Sequence, residues 1–347
     1  SKKRKPIPQA WKLQIIEPTN LNKTFNAADE GPGSNLELHW AFGTSAACSF
    51  NHVRYACTGS QADAKSNAAM KMSIIYPVAA VVVLYDTETL KQSFYQGHGS
   101  EITALDVHPN HFIVVSGDAS SSVHMWNAKT LACLIVINGM GSNGIQRIIF
   151  SPLTGDKFAT VSRDNDHTIA LYDTNSGGLL SSGKGFSSPN NIYDAAFNLN
   201  TSELVVVGRK QVRFYKNIHV NKRTLEYVTG KIGSKGNRQA FLSVTYCSND
   251  DAIVGCASGE LYKFTKYRCT QVIQAHGIRE AIFSVYFNTQ DNTLVTGSAD
   301  KNVKTWDLTL KSIGDALDLS ENTSGNSNKS FNQSITSVQV VNNRLLL

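Results

Sequence analysis

Short apolar runs separated by polar turns recur along most of the chain. Residues 81–86 read VVVLYD, and a polar turn, a second apolar run and Gly97-His98 follow them. The next unit divides in the same way, into predicted strands at 102–107, 112–116, 123–126 and 131–137. Runs of four to seven residues between Asp, Asn, Gly and Ser turns are typical of β-strands, and no sustained helical periodicity accompanies them. The pattern predicts an all-β protein.

Aromatic residues near the ends of predicted strands set a period. They are Tyr85, Trp126, Tyr172, Tyr215, Phe264 and Trp306, and the steps between them are 41, 46, 43, 49 and 42 residues. A period in the forties, filled by short strands, indicates the four-stranded blades of a β-propeller. We therefore predict a propeller of about seven blades.

The Gly-His pair marks the predicted junction between two blades. The strand before it forms the outer edge of one blade, and the pair leads into the innermost strand of the next. In this position the histidine can reach the blade's Trp through a turn Asp and a strand Ser or Thr, which satisfies buried polar groups. One unit supplies His98, Ser116 and Trp126, with Asn110 where the turn Asp is expected, and the last complete unit supplies His276, Asp291, Thr296 and Trp306.

These units resemble WD40 repeats, and the N-terminal part resembles a more specific segment. Residues 36–43 read LELHWAFG, Cys48-Ser-Phe-Asn51 follows, and residues 74–98 read IIYPVAAVVVLYDTETLKQSFYQGH. This order is similar to the hydrophobic (HELP) motif of the echinoderm microtubule-associated protein-like family. Downstream stretches such as EITALDVHP and VHMWNAKTL resemble the first propeller of that family.

The resemblance implies a domain organisation. Residues 1–35 would be a basic arm, 36–96 the HELP motif that forms an atypical first blade, and 97–310 WD40-like blades. Residues 311–334, rich in Ser and Asn, would be a loop. Residues 335–347 would start a further blade, with a second propeller beyond this chain.

The resemblance also implies a function, namely a non-enzymatic scaffold that binds tubulin or microtubules. The expected location is the cytoplasm and cytoskeleton, or the axoneme of a cilium, where other cytoskeletal or axonemal proteins would be partners. The alternative is a general WD40 adaptor that reads peptides or phosphopeptides in a signalling or degradation complex. Such an adaptor would need Arg and Lys concentrated at the top of the propeller, and the residues expected there are mixed.

Charge changes this picture at the N-terminus. The chain of 347 residues has a net charge of +6, and five basic residues precede the first acid, Glu17. The body is then close to neutral, whereas a nucleic-acid-binding domain more often spreads basic residues over a folded face. Lys2, Lys3, Arg4 and Lys5 are a solvated tail, a nuclear signal or a contact for an acidic partner such as tubulin.

Other motifs do not predict a site. The six cysteines are far apart and fit reduced thiols of a cytosolic protein, and the longest apolar run is too short to span a bilayer. Gly139–Gly144 matches G-x-G-x-x-G but precedes a predicted strand, so a turn is favoured over a dinucleotide site. A metal at His98, His108 and His111 is disfavoured by the structural role of His98. We predict no catalytic residues, metal, cofactor, small-molecule substrate, nucleic acid or membrane partner; apolar strand starts such as Ile102, Ile145 and Phe283 argue against a catalytic channel.

Overall fold

The computed structural model describes residues 38–43, 52–59, 71–187, 191–216, 224–319, 334–341 and 344–346. Every regular element in these ranges is a β-strand. The strands form six four-stranded antiparallel sheets, the blades, and one two-stranded sheet. All of them belong to one compact unit, Trp40–Leu347. The predicted all-β propeller is confirmed, and the described residues contain one complete blade fewer than seven.

The blades follow the chain in order. Blade 1 contains β1 (Arg54–Cys57), β2 (Met72–Val78), β3 (Val81–Asp86) and β4 (Lys91–Tyr95). Blade 2 contains β5 (Ile102–Val107), β6 (Ile113–Asp118), β7 (Ser122–Asn127) and β8 (Cys133–Asn138). Blade 3 contains β9 (Ile145–Phe150), β10 (Lys157–Ser162), β11 (Ile169–Asp173) and β12 (Leu179–Gly183).

The second half repeats this plan. Blade 4 contains β13 (Ile192–Phe197), β14 (Leu204–Gly208), β15 (Gln211–Lys216) and β16 (Glu226–Thr229). Blade 5 contains β17 (Phe241–Tyr246), β18 (Ala252–Cys256), β19 (Glu260–Thr265) and β20 (Arg268–Gln274). Blade 6 contains β21 (Ile282–Asn288), β22 (Thr293–Ser298), β23 (Asn302–Trp306) and β24 (Ser312–Asp318). The two-stranded sheet pairs β25 (Gln339–Val341) with β26 (Arg344–Leu346).

Within each blade, strands adjacent in sequence are adjacent in space, and the first strand is innermost. The first strands of neighbouring blades, such as β5 and β9, lie against each other, whereas the fourth strands are edges. Gly97-His98 connects outer strand β4 to inner strand β5, as its position in the repeat predicts.

One predicted boundary needs correction. Residues 311–334 were assigned to a loop, but Ser312–Asp318 form β24, the outer strand of blade 6. Gly314 and two aspartates interrupt the apolar pattern of this fully exposed strand, so the sequence shows no strand signal there. Residues 320–333 lie outside the described residues.

The hydrophobic core lies between the sheets. Each pair of successive blades shares one cluster of buried side chains. Between blades 1 and 2, for example, Ile75 and Leu84 belong to the same cluster as Leu105 and Trp126. A sheet that is apolar on both faces buries this surface only when other sheets stack against it, so the core forms between the blades of the ring.

Residues 335–340 lie between blade 6 and blade 1. The Val338 amide donates to Ser284 Oγ at 3.0 Å, and Tyr286 Oη donates to the Val340 carbonyl at 3.1 Å. On the other side, the Tyr55 amide donates to Gln339 Oε1 at 3.2 Å. This segment therefore joins the last complete blade to the first.

Candidate functional site

A buried hydrogen-bond network crosses blade 2. His98 Nδ1 lies 2.9 Å from Asp118 Oδ2 and His98 Nε2 lies 2.7 Å from Ser116 Oγ, which also accepts from Trp126 Nε1 at 3.1 Å. Because a carboxylate only accepts, Nδ1 carries the proton and Nε2 accepts the Ser116 hydroxyl proton. Burial lowers the pKa of His98, although Asp118 opposes this, so the ring is neutral near pH 7. These contacts satisfy the polar side-chain atoms of the network, so its role is structural.

The same network recurs in blade 6. His276 Nε2 lies 2.7 Å from Thr296 Oγ1, which accepts from Trp306 Nε1 at 2.9 Å. His276 Nδ1 lies 2.9 Å from Asp300 Oδ2. Burial lowers the pKa of His276, with Asp300 again opposing.

The carboxylates of these networks are not the ones that the sequence suggested. Asp291 was assigned to the blade 6 network, but its carboxylate accepts from Asn288 Nδ2 at 2.9 Å in the β21–β22 turn. Asn110 likewise caps its own turn by accepting from the Phe112 amide. Both turns follow the first strand, at the end of the sheet opposite the histidine, roughly 20 Å away at about 3.3 Å per residue. Asp118 is the last residue of the second strand of blade 2 and Asp300 follows the second strand of blade 6, and this strand returns the chain to the histidine end.

Two further side chains, which the sequence did not identify, join the blade 2 network. Tyr95 stacks on Trp126, with ring centroids 4.4 Å apart. Its hydroxyl oxygen lies 2.9 Å from His124 Nδ1. His124 stacks on His98 at 3.9 Å. Tyr95 belongs to blade 1, so the network also connects two blades. The only sequence signal for Tyr95 is its position directly before the Gly-His junction.

A cavity of about 220 Å³ lies among the inner strands, and its lining is more polar than the sequence suggested. The residues named from the sequence, Ile102, Ile145 and Phe283, do not line it. Its lining instead includes Arg54, Asp106, Arg147 and Asp194, together with His111. The apolar strand starts Ile102, Ile145 and Phe283 therefore do not indicate what lines the cavity, because other positions of the inner strands face it.

The two cavity aspartates connect three blades each. Asp106 of blade 2 accepts from Arg54 Nε of blade 1 at 3.1 Å and from the Phe150 amide of blade 3 at 2.9 Å. Asp194 of blade 4 pairs with Arg147 of blade 3, and it accepts from the Val244 amide of blade 5 at 3.0 Å. Each carboxylate is thus held by an arginine and a backbone donor. These groups stabilise the arrangement of the blades, and their charges are compensated within the cavity lining.

His52 lies close to the same charges. Its side chain is almost fully buried, and neither ring nitrogen has a hydrogen-bond partner within the described ranges. Burial, followed by the positive charges of Arg147 and Arg54, holds the pKa of His52 well below its usual value. The imidazole is neutral, so it adds no charge beside the two arginine–aspartate pairs.

An exposed aromatic pair lies on blade 1. Trp40 is 41% and Phe42 is 82% exposed, and their ring centroids are 5.8 Å apart. Gln92 of β4 holds the intervening residue, because its Oε1 accepts from the Ala41 amide at 2.8 Å and its Nε2 donates to the Ala41 carbonyl at 3.1 Å. Exposed apolar side chains grouped in this way are typical of contact surfaces.

The remaining motifs are placed as follows. Gly139–Gly144 connects strands β8 and β9, so it does not open a helix. In the part of the chain that the structure describes, no group of three His, Cys, Asp or Glu side chains is placed to hold a metal ion, and no helix is both long and apolar enough to cross a membrane. Lys2, Lys3, Arg4 and Lys5 lie outside the described residues.

Comparison with known proteins adds a family match. A family model described as the echinoderm microtubule-associated protein first beta-propeller matches residues 91–346. The chain is 26% identical over 294 residues to the 77 kDa echinoderm microtubule-associated protein of Strongylocentrotus purpuratus, which covers 81% of the chain and 40% of that protein.

Two mammalian relatives are similar at the same level. Identity is 25% over 297 residues with the human echinoderm microtubule-associated protein-like 1, covering 82% of the chain and 34% of the relative. It is 24% over 320 residues with the echinoderm microtubule-associated protein-like 2 of Mus musculus, covering 87% of the chain and 45% of the relative. The chain thus spans less than half the length of these curated relatives.

Proposed function

Because the family model covers most of its length, the chain belongs to the echinoderm microtubule-associated protein family, and we propose that it is a non-enzymatic scaffold that binds microtubules. The family match is the observation that carries this proposal. The relatives are named as microtubule-associated proteins, and sharing their first propeller makes a cytoskeletal role the simplest function for this chain.

The architecture supports recognition rather than chemistry. The ring is tied together by inter-blade clusters and by Asp106 and Asp194, so loops and edges are presented on a rigid support. The cavity carboxylates are engaged by arginines and backbone amides. A general acid or base needs a proton that it can exchange with a substrate, and these groups are committed to structural contacts.

We further propose that tubulin is the direct partner and that the protein works in cytoplasmic microtubule arrays or in the axoneme of a cilium. The basic arm at Lys2, Lys3, Arg4 and Lys5 would add attraction to the acidic tubulin surface, which salt would screen.

Co-sedimentation with stabilised microtubules tests the proposal. We expect the purified chain to pellet with polymerised tubulin in a saturable manner and to stay in the supernatant without it. Replacing the four arm residues by Ser should weaken pelleting at low salt and reduce its salt dependence. A chain that stays in the supernatant at every polymer concentration would contradict the proposal. Unchanged pelleting of the arm variant would show that the arm does not contribute to binding and would leave the rest of the proposal intact.

A further inference from the structure

The positive charge of the body is concentrated in one part of the ring. Residues 204–240, from β14 to the linker before β17, contain nine Lys and Arg but only one acid, Glu226, which is a net charge of +8. The whole chain carries +6, so all other residues together carry −2 although they include the basic arm. The near-neutral total of the body therefore hides a strongly basic segment.

The fold brings this segment against a turn of blade 5. The linker 230–240 is fixed at one end where the Lys210 amide donates to the Gln239 carbonyl at 2.9 Å. At its other end the Lys231 amide donates to the Tyr267 carbonyl at 2.8 Å, and the Cys269 amide donates to the Lys231 carbonyl at 2.9 Å. The linker thus spans the surface between the β14–β15 turn and the β19–β20 turn.

Seven exposed cationic side chains lie on this linker, on these two turns and at the start of β20. We call them the basic surface, and they are Arg209, Lys210, Lys231, Lys235, Arg238, Lys266 and Arg268. Within the described ranges none of the seven forms an ion pair. Two acids on blades 4 and 5 are engaged by neutral donors, since Glu203 accepts from Tyr267 Oη and Glu260 accepts from Gln239 Nε2. The positive charge of the surface is left without a local partner.

Three residues of these turns have a left-handed backbone conformation. Lys210 has a φ of 64°, and the two residues of the β19–β20 turn, Lys266 and Tyr267, have φ of 45° and 68°. Glycine and asparagine adopt this left-handed region most easily, and another residue there is less favourable by about 1 kcal/mol. Such non-glycine positions recur at other turns of the described residues, as at Leu90, Leu131 and Leu310, so this conformation by itself does not identify a function.

The surface includes a small cavity next to two of its cations. Lys210 and Arg238 are among the residues that line a cavity of about 240 Å³ beside Thr229 and Gly230. Arg213 lies 4.1 Å from the Tyr227 centroid and Lys216 Nζ lies 3.7 Å from the Tyr267 centroid, so a cation occupies one face of each ring, although Tyr227 is 46% exposed. Single-stranded nucleic acids are held largely by base stacking on open rings, and because these cations compete for the ring faces the surface suits a polypeptide better.

We propose that the basic surface of blades 4 and 5 binds an extended acidic polypeptide segment. Carboxylates of the segment pair with the unpaired lysines and arginines, and the cavity beside Lys210 and Arg238 receives part of the segment. The inference goes beyond the proposed function, because it assigns a partner chemistry to one surface and holds whether or not the segment comes from tubulin.

Fluorescence anisotropy with a labelled poly-glutamate peptide of about 15 residues tests it at low and moderate salt. The test variant is Lys210→Gln/Lys231→Gln/Arg238→Gln. The matched control is Lys91→Gln/Lys129→Gln/Lys311→Gln, which removes the same charge from exposed positions on blades 1, 2 and 6. We expect about fivefold to tenfold weaker binding of the test variant, from three exposed ionic contacts, and less than about twofold for the control. Raising the ionic strength should shrink the difference.

A conservative variant protects against a folding artefact. Lys210→Arg/Lys231→Arg/Arg238→Lys keeps the charge and should bind like the wild type, and all variants should share its thermal midpoint. Equal weakening of test and control variants would overturn the inference, because only total charge would then matter. Tighter binding of a single-stranded RNA of equal charge would overturn it in favour of a nucleic acid. Microtubule pelleting plays no part in this test, so the inference and the proposed function fail separately.

Discussion

At the scale of single residues, the blade networks depend on carboxylates that the repeat pattern alone does not identify. Asp118 and Asp300 meet their histidines because one ends and the other follows the second strand of its blade. The turn between the first and second strands also favours Asp and Asn, for local reasons, and this produced the mistaken assignment of Asp291.

The two aspartates of blade 6 provide a matched test. Asp300→Asn replaces a charge-assisted contact to His276 with a neutral one, and we expect a loss of about 1–3 kcal/mol in the free energy of unfolding. Asp291→Asn changes only a turn contact to Asn288, and we expect a change within about 0.5 kcal/mol. Urea unfolding of both variants measures the difference. Equal losses would mean that Asp300 is no more important than a turn residue.

Buried histidines should make the propeller sensitive to mild acid. Burial lowers the pKa of His52, His98 and His276 in the folded state, whereas the unfolded chain takes up protons near pH 6.5. The unfolded state therefore binds more protons, and stability that is complete above pH 6.5 is lost as the pH falls towards the folded-state pKa values. We expect a lower urea midpoint at pH 5.5 than at pH 7.5, and little change between 7.5 and 8.5. An unchanged midpoint at pH 5.5 would contradict the assignment of neutral buried rings.

At the scale of strands and sheets, each blade must fit closely against the next. In blades 2 to 6 the register shifts near the start of the first strand, as between Ile102 and Ala104. Such bulges increase the local twist. A glycine near the end of the second strand then lets the following blade approach, and a Cβ at Gly117 would lie 2.9 Å from Ile145 Cβ.

Gly117→Ala tests this close approach. The added methyl group meets β9 of the next blade, so we expect a loss of about 1–3 kcal/mol in the free energy of unfolding. Gly99→Ala is the control, because no atom lies within 4 Å of a Cβ at that exposed position. Thermal unfolding compares the two. A Gly117→Ala variant as stable as the control would mean that the sheets can separate slightly at no cost.

The strands were more predictable than the contacts between them. The predicted strand 145–150 matches β9, and 123–126 lies within β7, because alternating apolar residues and polar turns carry this information locally. β24 was missed because it is exposed throughout. The cavity charges and the basic surface were missed for another reason. Asp106 and Arg54, or Lys231 and Arg268, are far apart in sequence, and only the closed ring brings them together.

At the scale of the whole molecule, charged residues at the axis help to join the blades. Asp194 is buried between Arg147 and the Val244 amide, so removing it takes a buried carboxylate partner away from the arginine. We expect Asp194→Ala to lower the free energy of unfolding by about 3–5 kcal/mol. The exposed pair of Lys184 and Asp166 is the control, and Asp166→Ala should change the free energy of unfolding by less than about 1 kcal/mol.

A double variant identifies the cause of that loss. Arg147→Met/Asp194→Leu removes both charges and should recover a large part of the stability lost in Asp194→Ala. Chemical unfolding of the three variants gives the comparison. A double variant less stable than Asp194→Ala would show that the arginine contributes by contacts other than its pairing with Asp194.

The same ring presents the surfaces on which the proposed function depends. Blades 4 and 5 carry the basic surface and blade 1 carries the exposed Trp40 and Phe42, while the axis has its charges paired. Binding is then expected at the outside of the blades and not within the cavity.

A cryo-electron microscopy map of microtubules decorated with this chain tests the central claim most directly. We expect regularly spaced propeller density on the tubulin lattice, with four-stranded blades that fit the six described here. Bare microtubules at saturating protein concentration, with the chain still folded in solution, would contradict the account.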